Sequence, residues 1–178
     1  MKSLRSKLSV AALVVVTSGA ATGAEDQPDV DDVLGKVEEN LIGVWEFTDE
    51  DGITEVIHLR SDGIAIFNVH EEGEPMEAYI CRYGASGGYL AMGESTDFLF
   101  ADGEWEEDGV DELFRGLATY DVSDTTLTIH VPESDSMVFM KSNAEVLVPE
   151  KVTLHDGSSS VMGYSWGHVK AELTPAGQ

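Results

Sequence analysis

Hydrophobic residues follow a helical period before Ile42 and a strand period after it. The apolar positions before Ile42 have the spacing of one helical face: Val30, Val33, Leu34, Val37 and Leu41. Asp29 is a suitable N-cap, and Asp31 and Asp32 would lie in the first turn, where the helix dipole favours acidic side chains. The pattern predicts an amphipathic N-terminal helix at roughly 30–40, which needs a surface to cover its apolar face.

After Ile42 the chain consists of short β-rich segments separated by turn residues. The predicted strands are 43–49, 53–60, 63–70, 76–83, 87–93, 96–101, 116–122, 126–131, 136–141, 146–153 and 161–171. Tight turns such as Asp62-Gly63 join several of them, and this regular spacing favours an antiparallel sandwich or barrel. Trp45 and Phe47 alternate with polar neighbours and therefore share one face, whereas consecutive apolar residues at 98–100 indicate burial on both faces. The fold class is mainly β, an antiparallel meander with one N-terminal helix.

The first 24 residues have the order of a secretory signal peptide. A basic start precedes the apolar run 8–16 and a series of small residues that ends at Ala24. We expect cleavage after Ala24 and export to the periplasm or the exterior. No Cys follows the small residues, so a lipoprotein anchor is not expected, and no apolar run reaches the ~18 residues of a membrane-spanning helix. The predicted organisation is a signal peptide (1–24), an acidic segment with the helix (25–40) and a β domain (41–178).

The charge of the chain limits its partners. Three of the 10 basic residues lie in the signal peptide, so 7 basic and 34 acidic residues remain afterwards. Phosphate groups repel such a protein, which argues against nucleic acid and anionic lipid as partners. A basic protein is the partner that this charge favours, and a saline habitat would screen its self-repulsion. The single cysteine excludes an internal disulfide.

Three segments resemble bacterial lipocalin-like (calycin) domains. The segment 41–47, with Gly43-Val44-Trp45 at its centre, is similar to their Gly-x-Trp opening, which follows a short helix. The segment 59–63 resembles their second-hairpin turn, and 120–129 resembles their late hairpin. The resemblance implies that the meander closes into a barrel, that Gly43 admits the chain tightly into the first strand, and that Trp45 plugs one end.

The chain also departs from that family's pattern. It has no Thr-Asp-Tyr motif and no disulfide, and its tail after Val131 is long. After the last strand we identify no Arg that would cover Trp45. The resemblance therefore supports the barrel more than it supports any particular ligand.

No motif predicts catalysis, a metal or a cofactor. The acidic run 102–112 partly matches a calcium-binding loop, but Arg115 stands where a ligating Glu is expected, so we interpret the run as a solvated acidic loop. The five histidines lack the close spacing of a zinc site, although His58 and His70 lie on adjacent predicted strands. Cys81 alternates with tyrosines on a strand and is interpreted as a small buried hydrophobe. Enzymatic activity is therefore not favoured, although it is not excluded.

We predict an exported, non-enzymatic module that binds a small apolar or amphipathic molecule. The candidate lining residues are Trp45, Phe47, Phe67, Tyr79, Phe100, Tyr164 and Trp166. The last two belong to an alternating segment whose large face either lines a cavity or completes the core. The alternatives are an acidic domain of the bacterial envelope that binds or inhibits a basic protein, and an uncharacterised enzyme.

Overall fold

The computed structural model describes residues 27–111, 115–131, 136–149, 152–154 and 160–161, and strands make up most of this part of the chain. The elements in chain order are α1 (Val30–Val33), a 3₁₀ turn (Glu39–Leu41), β1 (Gly43–Thr48), β2 (Thr54–Leu59), β3 (Ile64–His70), β4 (Met76–Ser86), β5 (Tyr89–Ala101), β6 (Glu104–Asp111), β7 (Gly116–Val122), β8 (Thr126–His130), β9 (Met137–Ser142), β10 (Val152–Thr153) and β11 (Ser160–Val161). Neither helix in these ranges is long and apolar enough to cross a membrane.

Eight of the strands form a closed ring of hydrogen bonds. They follow the order β1-β2-β3-β4-β5-β7-β8-β9, and every neighbouring pair is antiparallel. The ring closes where β9 returns to β1, with Val44 opposite Ser142 and Glu46 opposite Met140. Every other pair in the ring is a hairpin of consecutive strands, except β5–β7. The pair β9–β1 therefore joins the two strands of the ring that are farthest apart in the sequence.

The sixth strand lies outside the ring. β5 is long enough to pair with β7 near Tyr89 and with β6 near its other end, where Phe100 faces Trp105. The hairpin turn between β5 and β6 has positive φ at Asp102 and Gly103, as two-residue hairpin turns require. The acidic run that we interpreted as a loop is therefore mostly an edge strand. Its charged side chains are typical of edges that resist pairing with other chains.

Alternation along the strands separates an inner face from an outer face. The inner face forms one apolar cluster, whose largest fully buried members are Trp45, Tyr83, Phe67, Phe139, Ile57, Leu59, Leu90 and Met92. Trp45 and Phe47 both belong to this inner side, as their spacing predicts. The strands are thus oriented by burial of every second side chain inside the ring.

A segment that follows β9 covers part of the outer face. Residues 143–149, which we name the strap, contribute Val146 and its partly buried neighbours Ala144 and Val148 to a second apolar cluster. That cluster includes Val44 of β1 and Ile66 of β3, which point away from the ring interior. Burial on both sides explains why these strands carry apolar residues at consecutive positions.

The N-terminal helix is shorter than its apolar spacing predicts. It ends at Val33, and Gly35 adopts φ +80, a left-handed conformation that terminates the helix. The chain then pairs with β4, since the Gly35 N–H donates to the Tyr83 carbonyl at 3.2 Å and the Ala85 N–H donates to the Lys36 carbonyl at 2.6 Å. These bonds replace the helical hydrogen bonds that the predicted helix would have made.

Other boundaries also differ from the prediction. The segments predicted at 87–93 and 96–101 are one continuous strand, β5, and most of 146–149 is irregular. The signal peptide and its cleavage site, together with the predicted final strand beyond Val161, lie outside the described residues.

Candidate functional site

Trp45 lies in the core near the end of the ring at which β1 begins, which we name the closed end. Its indole is fully buried, and the indole N–H donates to the Leu41 carbonyl at 2.9 Å. This bond ties the 3₁₀ turn to the core, since a buried indole N–H needs an acceptor. Gly43 adopts φ +143, a conformation that L side chains rarely adopt, so the entry of the chain into β1 favours glycine there.

A lysine covers the tryptophan. The Lys141 ammonium lies 5.2 Å from the centroid of the Trp45 ring, within the range of a cation–π contact. The side chain passes close to Gly43, where an added Cβ would lie 3.5 Å from the Lys141 Cε. Lys141 is on β9, the last strand of the ring.

Two tyrosines complete the closed end. The Tyr83 hydroxyl donates to the Arg60 carbonyl at 2.7 Å, and burial raises the pKa of Tyr83 above its ordinary value. Burial also raises the pKa of Tyr120, and a hydrogen bond to the Glu38 carboxylate adds to that shift. Both phenols therefore remain protonated donors at neutral pH, and they join the core to the chain segments around this end.

The middle of the ring is filled by large side chains. Phe67, Ile57 and Phe139 are almost completely buried. Phe139 also contacts Phe47 with ring centroids 5.6 Å apart. Cys81 belongs to the same cluster, with its Sγ 3.9 Å from the Met92 sulfur, and burial raises the pKa of its thiol. Cys81 is thus an unreactive wall residue, as its alternation predicts.

At the opposite end three interior side chains are only partly buried, although Ile53 and Val69 beside them are buried. Phe47, Tyr79 and Met137 pack against the core cluster yet retain contact with solvent. Phe47 is the last residue but one of β1, beside the β1–β2 turn, and Tyr79 is near the start of β4, after the β3–β4 turn. We name this end of the ring the open end, defined by Phe47, Tyr79 and Met137.

The open end also carries acidic side chains on its inner side. Glu55 is only 3% exposed and lies in register between Phe47 and Val69. Asp97 is opposite Tyr79 on the neighbouring strand and accepts a hydrogen bond from the Ser95 hydroxyl at 2.5 Å. The open end therefore combines an apolar wall with carboxylates and a phenol, which is the composition of a surface for an amphipathic ligand.

Tyr79 also bonds to an acid on its own strand. Its hydroxyl donates to the Glu77 carboxylate, which adds a third acidic group to this end of the ring. A phenol held by a carboxylate keeps its ring in one orientation, so the aromatic face of Tyr79 is a fixed part of the wall.

A hydrogen-bonded chain of three polar residues lies on the outside of the ring. His130 forms a chain of hydrogen bonds, from its Nε2 to Asp121 at 2.8 Å and from its Nδ1 to Ser136 at 2.7 Å. The order resembles a catalytic triad, but all three groups contact water, which weakens the activation that such a triad needs. Among the described residues, no group of three or more His, Cys, Asp or Glu side chains is placed to hold a metal ion.

The structure brings four of the seven predicted site residues together. Trp45, Phe47, Phe67 and Tyr79 all belong to the inner cluster, with only Phe47 and Tyr79 partly accessible. Phe100 lies on the other face of the sheet, with its ring centroid 5.0 Å from that of Trp105. The remaining two, Tyr164 and Trp166, lie outside the described residues.

Sequence reasoning missed the acidic residues of the open end. Glu55 stands between Ile53 and Ile57, which alternate on one face, so the alternation alone places a carboxylate on the apolar side. Lys141 carries a similar signal, because it continues the inner alternation of Met137 and Phe139 on β9. In both cases the signal is a charged residue at a position where the alternation of the strand predicts an inward-facing apolar side chain.

Comparisons of the chain with models of protein families, with curated proteins and with solved structures gave no match.

Proposed function

We propose that this protein is an exported binding module for a small amphipathic molecule, built on a lipocalin-like barrel. The ligand enters at the open end, with its apolar part against Phe47, Tyr79 and Met137. The closed end is a plug made by Trp45 and is not part of the binding surface. The protein carries its ligand and performs no chemistry on it.

One observation carries this proposal. Phe47, Tyr79 and Met137 face the inner side of the ring and pack on the same core as the fully buried Trp45, yet they reach solvent. Partly exposed aromatic side chains beside a core leave apolar surface in contact with water, and covering such a surface is favourable by about 25 cal/mol per Å².

The acidic groups of the open end restrict the polar part of the ligand. Two acids, Glu55 and Asp97, lie on the inner side of this end. A third acid, Glu77, accepts a hydrogen bond from Tyr79. An anionic head group would be repelled by them and by the formal charge of −24 on the whole chain. The ligand is therefore a neutral or cationic amphiphile rather than a fatty acid.

The closed end supports the lipocalin-like part of the proposal. Gly43, Trp45 and Lys141 reproduce the glycine entry, the plugging indole and a cation above it. The arrangement stabilises one end of the ring, which leaves the other end available for a ligand.

A binding experiment tests the proposal. The protein purified from its host envelope is examined by native mass spectrometry, and its melting temperature is measured with neutral, cationic and anionic amphiphiles of equal chain length. We expect a co-purifying small-molecule mass and a rise in melting temperature with the neutral or cationic members. No bound mass and no stabilisation by any member would refute ligand carriage and favour the alternative in which the acidic surface binds a basic protein.

A matched pair of variants locates the site. Phe47→Ala removes an aromatic wall of the open end, whereas Phe100→Ala removes a partly buried aromatic residue of the outer face. Each variant is compared with and without the stabilising amphiphile. We expect Phe47→Ala to lose at least half of the ligand-induced rise and Phe100→Ala to retain it. Equal losses in both variants would contradict the assignment of the site to the open end.

A further inference from the structure

A histidine without a hydrogen-bond partner at one nitrogen lies buried in the outer face of the ring. His58 of β2 is only 4% exposed, and its Nδ1 is buried with no hydrogen-bond partner. Its register partners are Val44 on β1 and Ile66 on β3, both apolar and almost completely buried. An imidazole in such surroundings is tolerated only while it is neutral.

The strap passes over this histidine. It leaves β9 at Ser142, which is opposite Val44, and it reaches β3 where the Leu147 backbone bonds to Asn68. Because β2 lies between β1 and β3, the strap crosses β2 at the level of Val56 and His58. The strap packs on this face through Val146 and its partly buried neighbours, and Val152 and Leu154, further along the chain, belong to the same apolar cluster.

The charges near His58 oppose its protonation. Burial, and after it the nearby Arg60 guanidinium, lower the pKa of His58 to about 4, while Asp62 acts in the opposite direction. Arg60 is itself bonded to Asp62 through two hydrogen bonds at 2.9 and 2.5 Å, so that carboxylate is already shared with another cation.

Asp62 of the β2–β3 turn and Glu46 of β1 each already have another hydrogen-bond partner. On β1, the Glu46 carboxylate accepts a hydrogen bond from Ser142 at 2.9 Å. The strap side chains of the apolar cluster are uncharged, and its one acid, Glu145, is exposed. The histidine of β3 on this side, His70, is also exposed. Protonation of His58 would therefore create a buried charge next to Arg60.

We propose that His58 and the strap form an acid-operated latch: protonation of His58 releases residues 143–149 from the outer face and uncovers the apolar strip around Val44 and Ile66. Release exposes the imidazole to water, where it takes up its proton at ordinary acidity. The ring itself stays closed, because its strand pairing does not depend on the strap. The latch is separate from the open end and does not rest on the proposed ligand.

Native-state hydrogen exchange of the full chain tests the latch. The Leu147 amide, which donates to the Asn68 side chain, reports on the strap, and the Phe67 amide reports on the ring. Exchange rates are corrected for the intrinsic rate at each pH. Between pH 7 and pH 4 we expect the opening constant of the strap to rise by about 100-fold, while protection of Phe67 remains higher than that of Leu147 throughout.

Two variants sharpen the result. His58→Gln removes the titrating group, so the strap should lose its pH dependence, whereas His70→Gln removes an exposed histidine of β3 and should leave it intact. If His58→Gln does not fold, the proposal is still tested by the opening constant of the wild-type strap between pH 7 and pH 4. A strap whose opening constant does not change with pH, or that opens only together with the ring, would overturn the proposal. The same pH dependence in His58→Gln would also overturn it.

Discussion

The side-chain amide of Asn68 exchanges two hydrogen bonds with the backbone of Leu147, 79 residues further along the chain. Its Nδ2 donates to the Leu147 carbonyl at 2.9 Å, and its Oδ1 accepts from the Leu147 N–H at 2.8 Å. A side-chain amide therefore takes the place of a neighbouring strand for one residue of the strap. This pair satisfies both backbone groups of Leu147 where no strand is available to do so.

The first prediction concerns this pair. Asn68→Ala leaves the donor and the acceptor of Leu147 without their partner, so we expect the free energy of unfolding to fall by about 2 kcal/mol. Urea denaturation followed by circular dichroism measures the loss. Asn143→Ala, which changes an exposed amide of the same strap, is the control and should change stability by less than about 0.5 kcal/mol. Equal effects of the two substitutions would contradict a structural role for the Asn68 bonds.

The strand positions could be predicted because alternation is a local signal. Trp45 and Phe47 share a face in the sequence and in the structure, and most strand boundaries between Gly43 and Ser142 agree within a few residues. The edge strand β6 was missed, because a run rich in acidic residues has the composition of a loop. It is a strand because the turn at Asp102-Gly103 folds it back on β5.

Long-range relationships could not be derived from the sequence. The closure of β9 on β1 and the contact of the strap with β3 join residues about 80 to 100 positions apart, and no local pattern encodes which partner each segment finds. Within the candidate site, Phe100 was misplaced for a related reason. It belongs to the uninterrupted apolar run 98–100, where alternation gives no indication of which residue faces inward.

The second prediction concerns the contact between the N-terminal segment and β4. A Cβ at position 84 would lie 2.0 Å from the Val33 carbonyl oxygen and 2.7 Å from the Gly35 nitrogen. Both atoms belong to the backbone, so the contact is not relieved by a side-chain rotation. We expect Gly84→Ala to displace the N-terminal segment and to cost about 3 kcal/mol in thermal unfolding.

Gly93→Ala is the matched control for that substitution. The nearest atom to its added Cβ is the Arg82 carbonyl oxygen at 3.5 Å, an ordinary contact on the same pair of strands. We expect this variant to unfold within about 1 kcal/mol of the wild type. A Gly84→Ala protein as stable as Gly93→Ala would show that the N-terminal segment does not pack on β4.

The third prediction concerns the plug. Trp45→Phe removes the indole N–H that bonds to the Leu41 carbonyl and leaves a space in a fully packed region. We expect a loss of about 3 kcal/mol in the free energy of unfolding. Trp105→Phe changes a partly buried indole of the outer face and should cost about 1 kcal/mol. Similar losses in guanidinium denaturation would argue against Trp45 as the plug of the closed end.

The last prediction concerns acid stability. The pKa of His58 is lowered from 6.5 to about 4 in the folded protein, so between these values the unfolded chain binds more protons than the folded one. Stability from the neutral imidazole is therefore fully present above pH 6.5 and is lost as the pH falls through about 4. The loss amounts to about 3 kcal/mol, since each pKa unit corresponds to about 1.4 kcal/mol.

Other carboxylates titrate in the same range, so a variant is needed to isolate the histidine. Urea unfolding of the wild type and of His58→Gln is measured from pH 7 to pH 4. We expect the wild type to lose about 3 kcal/mol more than the variant over this interval. His130→Gln, which changes a histidine exposed on the outer face, should follow the wild-type profile. Parallel profiles for the wild type and His58→Gln would mean that the buried imidazole is not the group that titrates.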